Sequence, residues 1–193
     1  VERLLAAGLA GRGVTITNAH GAHGVPMAEL ILSMMLAFAT GLHNLIRAQE
    51  SRRHIQQQII RTKFELEGQT LCVVGLGDIG GTLAHKGRAL GMRVIGGRRD
   101  PRPHPAAERV YAAGEIRQAL GQADHVALCL PLTAATTALV GAAELRAMRP
   151  TAYIYNVGRG ASLDPNALIQ ALQAGGIAGA GLDVAAPEPL PPD

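Results

Sequence analysis

Three glycines at a fixed spacing are the first residues in this sequence whose type and position suggest chemistry. Gly75, Gly77 and Gly80 follow the apolar run at residues 71–74 and precede a helix-like pattern. In a turn that joins a strand to a helix, the first glycine allows the tight bend and the second lets a diphosphate approach the backbone. The third lets the helix pack closely on the strand. The motif therefore predicts a dinucleotide-binding turn, and this context makes an ordinary connection the weaker alternative.

The start of the following helix would complete that phosphate site. Helix N-termini carry free N–H groups and the positive end of the helix dipole, and both attract anions. Asp78 and Ile79 occupy this first turn, and we predict that they contact the cofactor.

The end of the second predicted strand indicates which dinucleotide binds. Proteins that bind NAD place an acidic residue there for the ribose 2′-hydroxyl. This sequence instead has Arg98 and Arg99, and its carboxylate, Asp100, comes after them. Two guanidinium groups suit a 2′-phosphate, so we favour NADP over NAD. In the alternative, Arg98 stacks on the adenine and either cofactor binds.

These residues need a sheet that brings them to one edge. Apolar runs alternate with helix-like stretches, which is typical of a parallel sheet covered on both faces. We predict strands at residues 71–75, 93–96, 125–130, 152–157 and 177–183. We predict helices at residues 79–90, 114–120, 142–148 and 165–174, the last one capped by Asp164. The fold class is therefore α/β, a doubly wound parallel sheet of the Rossmann type.

The segment before the glycine turn has a different pattern. Residues 14–17 have the composition of a strand, and residues 27–46 form one helical pattern that is apolar on nearly every face. A helix of that kind is buried, either against its own sheet or against a partner chain.

Composition excludes several classes of protein. The 193 residues are 48% apolar and 17% charged, which excludes a disordered chain. No run of 18 residues lacks polar interruption, so we expect no membrane span. The net charge is +3, but the arginines are scattered and aromatic residues make up 3%, so nucleic acid is a weak hypothesis. Cys72 and Cys129 fit no metal motif, and we expect reduced thiols in strands, as in the cytoplasm.

Several motifs together resemble the D-isomer-specific 2-hydroxyacid dehydrogenase family. They are VTITN and GVPMAEL before the long helix, VVGLGDIG, ADHVALCLPLT, YIYNVGRGASLD and GAGLDVAAPEPLP. The resemblance covers nearly the whole chain and is strongest to the glyoxylate/hydroxypyruvate reductase branch. It implies an NAD(P)-binding domain at residues 25–193 and, at residues 1–24, the tail and hinge of a flavodoxin-like substrate domain. It also implies a homodimer.

The resemblance implies roles for three charged residues. Arg159, between two glycines, matches the catalytic arginine, which can hold a substrate carboxylate and polarise the adjacent carbonyl. Asp183 matches an aspartate that contacts the nicotinamide carboxamide. Glu188 matches the catalytic glutamate, which raises the pKa of an imidazole so that the imidazole donates a proton.

The resemblance also implies further cofactor contacts and a reaction. Four positions match the places where the family's chain passes the cofactor: Pro131, Thr136, Val157 and Gly158. The expected reaction is hydride transfer between NAD(P)H and a small 2-oxo acid such as glyoxylate or hydroxypyruvate. The alternatives are a nucleotide-sensing protein similar to the corepressors of this superfamily, and a dehydrogenase for formate or phosphite.

One expected residue has no counterpart in this sequence. The family's catalytic histidine follows the segment that contains Glu188, whereas all seven histidines precede that residue. His20 and His23, in the predicted hinge, are the two that could face a substrate, and we expect structural roles for the other five. Because the sequence opens at Val1, we expect a piece of a longer protein. Because this piece lacks the matching histidine and the rest of the substrate domain, we expect it to bind cofactor without turnover.

Overall fold

The computed structural model of the protein describes residues 21–190, together with residues 8, 13–15, 17 and 19. The predicted strand at residues 14–17 is not formed by Val14, Thr15 or Thr17, and Ile16 lies outside the described residues. The predicted substrate-domain tail at residues 1–24 falls mostly outside them and stays a prediction.

Six parallel strands form one sheet in the order β3-β2-β1-β4-β5-β6. The strands are β1 (Thr70–Val74), β2 (Arg93–Gly97), β3 (Arg109–Tyr111), β4 (His125–Leu128), β5 (Tyr153–Asn156) and β6 (Gly179–Leu182). The helices are α1 (Gly24–Thr40), α2 (Leu42–Glu50), α3 (Gln56–Thr62), α4 (Asp78–Ala89), α5 (Ile116–Leu120), α6 (Ala142–Ala147) and α7 (Pro165–Gln173), with 3-10 turns at Ala113–Glu115 and Gly160–Ser162. The prediction of a doubly wound parallel sheet is confirmed.

Alternate residues of β1 belong to different cores. Leu71 and Val73 pack in the core that contains α1 and α4, whereas Cys72 and Val74 pack in the core that contains α5, α6 and α7. This alternation explains why the strand is apolar at every position, since helices cover both faces of the sheet.

Both cysteines are free thiols, as predicted, but only one of them lies in a strand, because β4 ends one residue before Cys129. Cys72 is buried in β1, and Cys129 is half-buried just after β4. Burial raises the pKa of each thiol to about 12, so both stay protonated and unreactive at neutral pH.

The apolar stretch at residues 27–46 forms two helices, so the prediction of one continuous helix was wrong. α1 ends at Thr40, Gly41 adopts φ +70°, and α2 starts at an angle of 71°. A Cβ on Gly41 would come within 2.8 Å of the terminal methyl of Ile59 in α3, so the bend brings α3 onto this glycine. No single helix in residues 21–190 is long and apolar enough to cross a bilayer. α1 and α2 reach that length and composition only when they are counted together across their bend.

An aromatic cluster surrounds His125 at the amino edge of the sheet. The buried imidazole stacks on Tyr153, with ring centres 5.7 Å apart, and lies 5.9 Å from the ring of Phe64. Its Nε2–H donates to the side-chain carbonyl of Gln69 at 2.6 Å, and its Nδ1 accepts from the hydroxyl of Tyr155 at 3.0 Å. Both bonds together fit a neutral ring.

The free energy of unfolding is expected to fall on acidification because of His125. Burial lowers the pKa of His125 from 6.5 to about 4, although Asp124 opposes the shift. The unfolded chain binds a proton near pH 6.5 that the folded protein does not bind until about pH 4. The contribution of His125 to the free energy of unfolding is therefore fully present above pH 6.5. It is lost as the pH falls from 6.5 to about 4, and the loss is about 2 to 3 kcal/mol.

Urea unfolding at pH 7.5 and pH 4.5 measures this effect. The variant His125→Phe should be less stable at pH 7.5, because Gln69 and Tyr155 lose a partner, but its loss on acidification should be smaller than that of the parent. His54→Phe, a change at an exposed histidine, is the control and should keep the parent's pH dependence. An equal loss in the parent and His125→Phe would contradict the prediction.

Candidate functional site

The glycine turn after β1 is packed from two sides. Gly75 adopts φ +100°, and a Cβ there would lie 2.6 Å from the carbonyl oxygen of Cys129 and 2.9 Å from the side chain of Leu130. A Cβ on Gly80 would collide with the carbonyl oxygen of Gly75 and lie 2.8 Å from Val73. These two glycines therefore let α4 start directly against β1, as the spacing predicted.

Gly77, between them, faces open space. It is the exposed N-cap of α4, and a Cβ built on it would meet no atom within 4 Å. The first N–H groups of α4 have no acceptor within the helix and carry its positive dipole end. Open space above free N–H groups fits the diphosphate of a dinucleotide, and a side chain at this position would fill it.

The Asp78 carboxylate lies against the start of α1. Its Oδ1 is 2.6 Å from the place that a Cβ on Gly24 would occupy. α1 has no acidic residue in its own first turn, so Asp78 places a negative charge at the positive end of this helix. Asp78 and Ile79 can then serve a phosphate through their backbone N–H groups.

The two arginines after β2 differ in exposure. Arg98 is half-buried, and its backbone N–H donates to the carbonyl of Tyr111 in β3 at 3.1 Å, whereas Arg99 is exposed. The nearby carboxylate of Asp100 accepts from the guanidinium of Arg102 at 2.6 Å. The acidic group in this loop is thus paired, which leaves Arg98 and Arg99 available to an anion.

The loop after β4 is held by its own threonine. The Thr136 hydroxyl donates to the carbonyl of Pro131 at 2.7 Å and accepts from the backbone N–H of Thr133 at 2.8 Å. Thr136 therefore fixes the path of this loop, and Pro131 stays exposed at its start.

An asparagine that the sequence did not single out organises the loop after β5. The buried amide of Asn156 donates to the carbonyl of Arg159 at 3.0 Å and accepts from the backbone N–H of Gly158 at 3.1 Å. A Cβ on Gly158 would lie 2.5 Å from the carbonyl oxygen of Leu130. Val157 and Gly158 are buried, so this segment lies directly beside the loop that follows β4.

Arg159 itself is exposed at the carboxyl edge of the sheet. Its Nη1 donates to the carbonyl of Gly158 at 2.8 Å. A Cβ on Gly160 would collide with the backbone of Ala185, so the loop after β5 touches the segment after β6. Asp183 begins that segment, and its backbone N–H donates to the carbonyl of Asn156 at 3.0 Å.

Glu188 lies further along the same segment. It is exposed, and within residues 21–190 no ion pair joins it to Arg159. The histidines lie elsewhere: His23 is exposed at the N-cap of α1, His125 is buried at the opposite edge, and His20 lies outside the described residues.

The loops that carry most of the predicted residues lie at the carboxyl edge of the sheet. Residues 129–130 touch the glycine turn on one side and Gly158 on the other, so these three loops are continuous. They lie where β1 and β4 are neighbours and the chain order reverses, which is where open α/β sheets bind ligands. Arg98 and Arg99 follow β2 on one side of this point, and Arg159 follows β5 on the other.

One family model identifies the protein family to which the chain belongs. The model of the D-isomer specific 2-hydroxyacid dehydrogenase NAD-binding domain matches residues 32–193. The chain belongs to this family. The resemblance seen in the sequence is thereby confirmed.

Individual similar proteins show how much of the chain is shared. The glyoxylate reductase of Thermococcus litoralis is 35% identical over 183 residues, which are 92% of this chain and 55% of that protein. The TT0316 protein of Thermus thermophilus has a TM-score of 0.88 at 34% identity, over 100% of this chain and 60% of that one.

A D-isomer specific 2-hydroxyacid dehydrogenase from Xanthobacter autotrophicus Py2, in complex with NADPH and MES, has a TM-score of 0.80 at 30% identity. That match covers 93% of this chain and 73% of the other. The chain spans about half the length of the curated relatives it matches, as the 55% for the Thermococcus enzyme illustrates.

Proposed function

We propose that the full-length protein is an oxidoreductase that transfers a hydride between NAD(P)H and a small 2-oxo acid, similar to glyoxylate or hydroxypyruvate. The observation that carries the proposal is the position of Arg159. Its guanidinium follows Val157 and Gly158 at the carboxyl edge of the sheet, and the loop after β4 connects that edge to the glycine turn. A reactive ring beside Gly158 would therefore have a carboxylate receptor next to it.

The cofactor, when bound, supplies the hydride, and the chain's own residues bind and orient the reactants. Gly75, Gly77 and Gly80 shape the diphosphate site, and the N–H groups at the start of α4 neutralise its charge. Arg159 binds the substrate carboxylate in a bidentate manner and polarises the 2-oxo group. Asp183 would accept a hydrogen bond from the nicotinamide carboxamide.

Glu188 has a supporting role in this proposal. It pairs with an imidazole and raises the pKa of that imidazole, which then donates the proton to the substrate oxygen. The histidines of this sequence all precede Glu188, so we assign the imidazole to a part of the full-length protein outside this sequence.

We favour NADP as the cofactor because Arg98 and Arg99 replace the acidic residue that binds a ribose 2′-hydroxyl. The NADPH complex of the Xanthobacter relative supports this preference. Pro131 and Thr136 would border the cofactor through the loop that they stabilise.

We also propose a domain boundary near residue 24 and a homodimer. Exposed apolar side chains follow the outer faces of α1, α2 and α3, and they would be covered in a dimer: Leu36, Leu42, Leu45, Ile46 and Ile60.

Turnover by the full-length protein tests the proposal. With NADPH and glyoxylate or hydroxypyruvate, the absorbance of the reduced nicotinamide should decay, and NADH should be a poorer donor. The assignment as an oxidoreductase would be overturned if none of a panel of 2-oxo acids were reduced. If the protein then still bound the dinucleotide, a sensing protein would be favoured. Reduction of NAD(P)⁺ by formate or phosphite alone would favour that alternative chemistry.

A further inference from the structure

Two histidines outside the predicted site come together beside α4. The rings of His85 and His104 have centres 5.5 Å apart. His104 belongs to the loop between β2 and β3, and its Nε2 is 3.3 Å from the place that a Cβ on Gly81 would occupy. Gly81 lies in the first turn of α4, so the imidazole packs on the same helix end that begins at the glycine turn.

A hydrogen bond fixes the tautomer of His104. The backbone N–H of Ala106 donates to Nδ1 at 3.2 Å, so Nδ1 is the acceptor and the proton of the neutral ring is on Nε2. The nitrogen that faces α4 is therefore a hydrogen-bond donor.

The surroundings of His104 are positively charged. Burial, the neighbouring His85 and Arg98 all lower the pKa of His104, in that order. The Arg88 guanidinium donates to the carbonyl of Pro105 at 3.1 Å, which brings a further cation to this loop. One carboxylate lies between Arg98 and His104 in the sequence. It belongs to Asp100 and is paired with the guanidinium of Arg102.

Arg98 and His104 adjoin two elements that pack against each other, β2 and α4. Arg98 is the first residue after β2, and His104 touches the first turn of α4. In doubly wound sheets the adenosine ribose lies at the end of the second strand, next to this helix. An anion on the 2′-oxygen would meet a guanidinium and an imidazole donor, and it would offset the repulsion between them.

We propose that His104 acts with Arg98 as the receptor for the 2′-phosphate of NADP, and that it is a specificity residue for this cofactor. The inference rests on the proposed function, because it assigns a role within the same dinucleotide site. His85, on α4, contacts the imidazole of His104 ring to ring and helps to hold it in place.

Equilibrium binding of NADPH and NADH to the full-length protein tests the assignment. His104→Phe keeps a ring of similar size but removes the donor, and it should raise the Kd for NADPH about tenfold while leaving the Kd for NADH unchanged. His104→Gln should restore part of the NADPH affinity, because its side-chain amide can donate. His54→Phe, at an exposed position away from this loop, should change neither Kd.

Titration of His104 by NMR gives a second measurement that does not depend on activity. Adenosine 2′,5′-bisphosphate should raise the pKa of His104, because it brings a dianion to the ring, whereas adenosine 5′-monophosphate should not. The assignment would be overturned if the two nucleotides had the same effect on the pKa of His104. Equal effects of His104→Phe on NADPH and NADH would also overturn it while leaving the proposed function intact, whereas a failure of both dinucleotides to bind would overturn both.

Discussion

Replacing Arg159 with alanine is expected to lower kcat/KM for glyoxylate about 1,000-fold or more in the full-length protein. The guanidinium is the proposed partner of the substrate carboxylate and of the developing charge on the 2-oxo oxygen. The loss of one preorganised donor of this kind costs about 100- to 1,000-fold, and Arg159 would supply two. Stopped-flow or steady-state measurement of NADPH oxidation gives the ratio.

Cofactor affinity should be nearly unchanged by the same substitution. The Arg159 side chain is exposed and, among the described residues, hydrogen-bonds only to the carbonyl of Gly158. Its removal therefore leaves the loop held by the bond from Asn156 to the backbone carbonyl of residue 159. The Kd for NADPH should therefore stay within about twofold of the parent value, below half a kcal/mol. Arg159→Lys keeps the charge but lacks the bidentate fork. Its kcat/KM for glyoxylate should therefore lie between those of the parent and of Arg159→Ala. Equal losses of turnover and of cofactor affinity would contradict the substrate role.

The sheet was predictable from the sequence because buried parallel strands are continuous apolar runs. β1, β2, β4, β5 and β6 each overlap a predicted strand. β3 was missed because it has three residues, starts at an exposed arginine and follows a proline-rich loop, so it has no apolar run of its own. It becomes a strand by pairing with β2, which local sequence does not encode.

The bend at Gly41 shows the same limit in a helix. An isolated glycine within a helical pattern is often tolerated, so the apolar residues on both sides of it predicted one helix. What ends α1 is the left-handed backbone at Gly41 and the contact with Ile59, which lies eighteen residues later. α3, which brings Ile59 there, is short and polar at its start and was not predicted.

The candidate site was predictable where a residue type serves a local geometry. Gly75 and Gly80 have no space for a side chain, and their spacing alone revealed this. His104 had no such signal, and Asn156 had only its place before a Gly-Arg-Gly loop, since the partners of both residues lie in folded loops. An asparagine before a Gly-Arg-Gly loop, hydrogen-bonded to both sides of it, is a signal that could have been used.

Two alanine substitutions in the glycine turn, each of which adds one methyl group, are expected to have different effects. One should lower the stability of the fold, and the other should weaken cofactor binding. Gly80→Ala places a Cβ against the carbonyl oxygen of Gly75, and this backbone atom is fixed by the turn itself. α4 would have to move away from β1, and the free energy of unfolding should fall by about 3 kcal/mol. Thermal or urea unfolding without cofactor measures the loss.

Gly77→Ala is the matched change three residues earlier. Its Cβ would meet no atom within 4 Å, and φ is −89°, so the fold should lose at most about 1 kcal/mol, mainly from a weaker helix cap. The methyl would occupy the space proposed for the diphosphate, so the Kd for NADPH should rise about 100-fold, which is about 3 kcal/mol. If Gly77→Ala bound NADPH like the parent, the diphosphate would not lie over this turn, and the oxidoreductase assignment would lose its cofactor site.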